Sequence, residues 1–196
     1  MTEFSLVKEE LDIAINNIEK WVKPQKIKRP FSIFAPRSYE VKEPYGSVLI
    51  ISPWSNPVSL SLIPLIGAIA AGNCAIIRGS RKCENISRVL AQMINFTFDK
   101  RYVYAIEDAL PYNEVMSQKY DYIFFTGSER VGKNIIRAAA GNVTPYTLEL
   151  GGKNPCIIGA EADIDLAARE IMYGGTSHDR IKHCPQPKDE FKKKVD

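Results

Sequence analysis

The chain has 196 residues, 45% of them hydrophobic and 25% charged, the composition of a soluble globular protein with one large domain or two small ones and enough length to bury a core. Twenty-six basic side chains against 23 acidic ones leave a net charge of +3, with Lys and Arg scattered until the end of the chain, so nucleic acid is not an expected partner while an anionic small ligand is allowed. The longest apolar run, residues 60–71, contains Pro64 and Gly67 and is too short to span a bilayer, so no membrane segment is expected.

Phe4, Val7, Leu11, Ile15, Ile18 and Val22 recur at three- and four-residue steps, which predicts an amphipathic helix with a wet face, stopped by Pro24. The opening MTEFSLVKEE lacks the basic-then-apolar order of an export signal, and Cys74, Cys83, Cys156 and Cys184 lie far apart, so reduced thiols and a cytoplasmic location are expected. Between Pro24 and Tyr45, three more prolines and short alternating stretches at 31–34 and 39–41 predict an extended or hairpin arm.

From Gly46 the texture changes to short β-branched or aromatic runs at 47–52, 74–78, 102–106, 120–125, 146–150 and 155–159, with helical patterns at 60–71, 85–98, 129–140 and 164–173. Strands alternating with helices of this length predict right-handed βαβ crossovers and an α/β fold with a parallel, doubly wound sheet.

"YDYIFFTGSERVGK" places Gly127 at the end of an apolar strand and Gly132 in the first turns of the helix that follows. Such a junction aims backbone N–H groups and a positive helix end at whatever lies above the strand, which suits a phosphate, although the spacing is neither GxGxxG nor a Walker loop; a tight turn required for helix–sheet packing is the alternative. Arg78, Gly79, Ser80 and Arg81 follow another strand end, which puts basic groups on the same edge. In "TLELGGK", alternation sends Leu148 and Leu150 to one face and Glu149 to the other, before the glycine pair Gly151 and Gly152. Glu149 is then either a partly solvated carboxylate paired with Lys153 or a backbone amide, or a general base raised by partial burial.

Taken in order, "EPYGSVLIISPW", "PLIGAIAAGN", "FFTGSERVG", "TLELGGKNPCII" and "ADIDLAAREIMYGG" resemble the aldehyde dehydrogenase superfamily, in particular its class-3-like branch. The resemblance implies a Rossmann-like parallel sheet with flanking helices at 46–175, preceded by an N-terminal helix and an oligomerisation-type β arm at 1–45 and followed by a divergent charged tail at 176–196, with most of the catalytic domain absent. It also implies NAD or NADP as cofactor and an aldehyde as substrate, oxidised to a carboxylic acid. Carried over by position, Gly127, Ser128, Val131 and Gly132 match the dinucleotide-binding turn, Trp54 the tryptophan at the end of the first strand, Glu149 the base that activates water, and Gly151 and Gly152 the pair shaping that site.

The departures are specific. Where the resemblance leads one to expect an oxyanion-binding asparagine after Pro53 and Trp54, the chain has Ser55, with Asn56 one place later; loss of such a donor costs about 3 kcal/mol of transition-state stabilisation unless Ser55 or Asn56 substitutes. The family's lysine, proline, serine and glutamate are here Arg78, Gly79, Ser80 and Arg81, and Arg81, a donor only, suits a 2′-phosphate better than a ribose hydroxyl. The nucleophile's place is held only approximately by Cys184, without the expected asparagine, glycine and glutamine. His178, His183 and Cys184 form a poor metal pattern, and an exposed tail is the expected reading. Two functions follow: an aldehyde dehydrogenase with little or no activity in this length of chain, or a non-catalytic nucleotide-binding or interaction remnant that forms a homo- or hetero-oligomer with a full-length paralogue.

Overall fold

The computed structural model describes residues 3–27, 38–107, 110–152 and 155–176. The predicted stretch at 31–34, Lys153, and the tail with His178, His183 and Cys184 lie outside these residues.

Helix α1 (Glu3–Trp21) ends three residues before Pro24 and is followed by β1 (Gln25–Lys26), which pairs antiparallel with β2 (Tyr39–Glu40), so the arm has the expected hairpin pairing over two residues a side. The sheet then runs β3 (Ser47–Ile51), α2 (Ser59–Ala70), β4 (Cys74–Arg78), α3 (Glu84–Thr97), β5 (Val103–Ala105), α4 (Tyr112–Met116), β6 (Tyr122–Gly127), α5 (Glu129–Asn142), β7 (Tyr146–Leu150) and α6 (Ile164–Thr176). Its order is β5-β4-β3-β6-β7 and every pairing is parallel. The chain winds outward from β3 to β5, returns to the other side of β3 and winds outward again, which makes the β3/β6 boundary the topological switch point of an α/β sheet.

The alternation of the strands builds two cores. Val48, Ile50, Ala75, Ile77, Val103 and Ala105 face Leu65 and Ala68 of α2 and Leu90, Ala91 and Ile94 of α3. On the other face Leu49, Ile51, Ile123 and Phe125 pack with Val115 of α4 and with Ile135 and Ala139 of α5. Central strand β3 is buried on both faces from Val48 to Ile51, which is why its sequence reads as one apolar run rather than an alternation. Each of these fully buried side chains contributes roughly 1.5–3 kcal/mol by leaving water. At the β5 edge the Asn95 amide substitutes for a further strand: Nδ2 donates to the Ala105 carbonyl and Oδ1 accepts from the Ala105 N–H, both at 2.8 Å.

Three expectations are corrected. The apolar run 155–159 forms no strand, and Ile157 is 87% exposed; a strand exists only with a neighbour, and no described strand lies beyond β7 to pair with it. Helix α4 lies in a stretch where no element is predicted, because five residues are too few to show a period. The apolar stripe of α1 is not its packed face: Ala14 is the buried residue, and Phe4, Leu11, Ile15, Ile18 and Val22 remain exposed. The reason is a carboxylate. Glu3 Oε2 accepts from the Val58 N–H (3.0 Å), the Ser59 N–H (2.8 Å) and the Ser59 hydroxyl (3.0 Å), closing the amino end of α2 and fixing the rotation of α1 about its axis. Among the described residues no helix is long and apolar enough to cross a membrane.

The amino edge of the sheet is tied by Asp121, whose Oδ2 accepts from both the N–H and the hydroxyl of Ser47 at 2.8 Å. The backbone bond first, then the hydroxyl bond, hold the Asp121 carboxyl below the ordinary aspartate range. A carboxyl depressed in the folded state contributes stability that is present above its unfolded pKa and lost as pH falls through the folded one. Urea midpoints measured from neutral pH down to about pH 3 should therefore show Asp121→Asn losing less stability on acidification than the parent; a constant difference at every pH would remove Asp121 as a cause of the acid limb. Asp99, held low by its pair with Arg101, titrates equally in both proteins and cancels.

Candidate functional site

The carboxyl ends of β3, β4, β6 and β7 form one edge, and register fixes what stands side by side. Ile51 aligns with Arg78 on one side and Phe125 on the other; Phe125 aligns with Leu148, Thr126 with Glu149 and Gly127 with Leu150. The ladder continues one residue further through the Ser52 N–H, which donates to the Arg78 carbonyl at 3.1 Å. Beyond it the β3–α2 loop carrying Trp54, Ser55 and Asn56 is pinned from beneath, since the buried Ser61 hydroxyl donates to the Pro57 carbonyl at 2.7 Å and lies 2.7 Å from the Ser52 hydroxyl.

Gly127 owes its identity to packing, and Gly132 sits close beneath two leucines. A Cβ on Gly127 would stand 2.6 Å from Phe125 Cζ, and one on Gly132 3.0 Å from Leu150 Cδ2 and 3.7 Å from Leu148 Cδ1. The second contact shows that Leu148 and Leu150 face α5, as alternation predicts, and that Glu149 faces the opposite side in the row of Thr126. Ser128 is the N-cap residue of α5 with extended backbone, and its hydroxyl makes no cap bond to the helix, whose amino end is of the kind that favours an anion. Val131 is half-buried against the α5-side core.

Glu149 is exposed on its strand, so the partial burial expected of it is absent. Gly151 and Gly152 are exposed beside it. Of the two oxyanion candidates, Asn56 has its Oδ1 buried without a partner, and Ser55 is half-buried. Thr126 Oγ1 is likewise buried without a partner. Orphaned buried polar atoms are uncommon and call for a group that completes them; both of these lie just past or at the ends of the two strands that flank the switch point.

Arg78 is drawn inward. It is 3% exposed, its Nη2 donates to the Leu110 carbonyl at 2.9 Å, and its guanidinium lies 3.8 Å from the ring centroid of Tyr112. Burial, then the charge of Arg81, lower its proton affinity, with Tyr112 opposing. Arg81 and Lys82 are exposed in the turn that follows, where the Lys82 N–H donates to Ser80 Oγ at 3.3 Å and the Lys82 ammonium lies 5.8 Å from the ring of Trp54. Sequence reasoning singles out Trp54, Arg78, Ser80 and Arg81; the contacts of Lys82 with Trp54, of Tyr112 with Arg78 and of Glu3 with Ser59 join residues distant in the chain and are not readable from it. Among the described residues no group of three acidic, histidine or cysteine side chains could hold a metal.

The chain matches the aldehyde dehydrogenase family over residues 2–179. It belongs to that family. The aldehyde dehydrogenase family 3 comG of Dictyostelium discoideum is 47% identical over 175 residues, 88% of this chain and 37% of the relative. A substrate-bound structure of the Staphylococcus aureus aldehyde dehydrogenase AldH superposes with a TM-score of 0.83 at 43% identity, covering 89% of this chain and 38% of that one. A Staphylococcus aureus betaine aldehyde dehydrogenase in complex with NAD+ gives a TM-score of 0.76 at 32% identity over 88% of this chain and 35% of its own. The chain thus spans little more than a third of the length of these aldehyde dehydrogenases, and the likeness bears out the Rossmann-like parallel sheet and the class-3-like resemblance.

Proposed function

We propose that this domain binds a nicotinamide adenine dinucleotide, NAD or NADP, across the carboxyl edge of its sheet, as the dinucleotide-binding part of an aldehyde-oxidising enzyme. The carrying observation is the glycine turn at the switch point: an α5 whose N-cap residue Ser128 makes no side-chain cap bond, glycines that let strand and helix close up, and two orphaned polar atoms, Asn56 Oδ1 and Thr126 Oγ1, at the adjoining strand ends. The residues present fit the group. The α5 amides, Ser128 and Gly127 would hold the pyrophosphate, Trp54 would flank it, and Ser80 and Arg81 would meet the adenosine ribose.

When bound, the nicotinamide accepts the hydride removed from the substrate. The chain's own part is to orient and to move protons. Glu149, on the sheet face it shares with Thr126, would take a proton from the water that hydrolyses the acyl group; Ser55 or the Asn56 amide would donate to the developing oxyanion. Cys184, outside the described residues, is the candidate nucleophile. Since the residues described here supply base and cofactor turn but not a positioned thiol, we expect cofactor binding with little or no turnover from this chain by itself. A non-catalytic nucleotide-binding partner of a full-length paralogue is the second reading, favoured by the exposed apolar stripe of α1 and the exposed Ile157.

Calorimetric titration with NAD and NADP should give saturable binding in the micromolar to low millimolar range. Aldehyde-dependent production of reduced cofactor, followed by absorbance, should stay near background. Turnover abolished by Cys184→Ala would establish the catalytic reading, and no heat at millimolar cofactor would sink both.

A further inference from the structure

The order β4-β3-β6 sets where each part of a dinucleotide would lie. Neighbouring strands are about 4.8 Å apart, so the end of β4 stands roughly 10 Å from the glycine turn of β6, with Trp54 at the end of β3 between them. A nucleotide anchored by its pyrophosphate near Gly127 can therefore reach Ser80, Arg81 and Lys82 with its adenosine ribose.

That turn holds no carboxylate. Between Arg78 and Cys83 every titratable side chain is basic, and the first acid, Glu84, opens α3. The hydroxyl of Ser80 already accepts the Lys82 N–H. A free ribose 2′-hydroxyl finds no carboxylate to accept its proton there, since neither guanidinium nor ammonium accepts. Meanwhile Arg81 is close enough to oppose the charge of the buried Arg78, whose Nε has no partner, and Lys82 is held to the same side by the face of Trp54, 5.8 Å away. Three cations gathered at one strand end without an anion between them are an arrangement that a dianion stabilises.

We propose that Arg81 and Lys82 clamp the 2′-phosphate of NADP, so that this domain selects NADP over NAD. The inference rests on the dinucleotide reading of the edge. Arg81 supplies the fork of paired donors and Lys82 a mobile point charge from the Trp54 side; Arg78, spent on Leu110 and Tyr112, is the fixed floor beneath them.

The test is calorimetric titration of the full chain with NADP, NAD, 2′,5′-ADP and 5′-ADP at two salt concentrations. NADP should bind at least about tenfold more tightly than NAD, 2′,5′-ADP should outbind 5′-ADP by a similar factor, and the advantage should shrink with salt. Arg81→Glu, which supplies an acceptor for the ribose hydroxyl, should weaken NADP about a hundredfold and strengthen NAD; Lys82→Ala should weaken NADP about tenfold and leave NAD unchanged. Both side chains are exposed, and unchanged melting temperatures confirm that the variants are folded. Equal affinity for NADP and NAD overturns the clamp while leaving the dinucleotide reading in place. Binding of neither cofactor overturns both. An NADP preference that survives Arg81→Glu and Lys82→Ala places the 2′-phosphate elsewhere and overturns the assignment.

Discussion

Replacing Gly46 with alanine should lower stability by about 2–4 kcal/mol, read as a shift in urea midpoint at unchanged slope. Two independent costs add at this position. The residue has φ of +123°, a conformation that side-chain-bearing residues avoid at about 1–3 kcal/mol. A Cβ would also run into the Asp121 carboxylate, with Asp121 Cγ at 3.0 Å. That carboxylate cannot move away freely, because it holds the Ser47 N–H and hydroxyl. The Gly46 N–H in turn donates to Asn73 Oδ1 at 3.0 Å, and its carbonyl accepts from the Cys74 N–H at 2.9 Å. One glycine therefore joins the amino ends of β3, β4 and β6, the strands whose opposite ends carry the site. Combining Gly46→Ala with Asp121→Ala separates the two costs: the collision disappears while the backbone strain persists, so the double variant should be less destabilised than the sum of the singles. A loss below about 0.5 kcal/mol for Gly46→Ala would show that the amino edge adjusts at no cost.

What the sequence shows and hides follows from the range of the interactions. The runs at 47–52, 74–78 and 120–125 are legible as strands because a central parallel strand must be apolar on both faces, and Val48 to Ile51 are all buried. The helix–strand alternation that they punctuate leaves little topological freedom, and a doubly wound sheet follows. The run at 155–159 has the same local texture and forms no strand, since apolar character reports that a segment is to be covered but not by what. Helix α1 makes the same point more sharply. Its periodicity marks Phe4, Leu11, Ile15, Ile18 and Val22 as a face, whereas Glu3, more than fifty positions from the Val58 and Ser59 amides it caps, decides that Ala14 is the side turned inward.

The candidate site divides in the same way. Gly127, Ser128, Gly132 and Glu149 stand out in the sequence because turn chemistry and strand alternation are local, and Arg81 because a basic residue follows a strand end. Arg78 reads as a ligand contact from its position alone, but Tyr112 and the Leu110 carbonyl, brought over by the unpredicted α4, take it into the interior. Lys82 reads as an ordinary solvated lysine until the fold sets Trp54 beside it.

Gly127→Ala should cost about 1–3 kcal/mol in stability and, through a displaced turn, weaken cofactor binding by about tenfold or more. The sequence argument leaves this glycine between a phosphate-binding junction and a tight turn required for helix–sheet packing, and Gly127 is not among the positive-φ glycines. Its requirement is a lack of space: an alanine methyl would lie 2.6 Å from Cζ and 3.2–3.3 Å from both Cε atoms of Phe125. Phe125 is 2% exposed, packed among Leu49, Ile51, Ile123 and Ile135, and has nowhere to swing without opening that core. Accommodation must come from the strand end, which is the part that aims the α5 amides. Shortening the ring should therefore relieve the variant: Phe125→Leu alone loses stability, yet in the Gly127→Ala background the second substitution should cost about 1–2 kcal/mol less and recover part of the lost affinity. Additive effects on both unfolding and nucleotide titration would mean that the turn tolerates the methyl without leaning on Phe125. A positive coupling in both readouts would place the aromatic core beneath β6, rather than the turn's own backbone, as the element that holds the amino end of α5 in position.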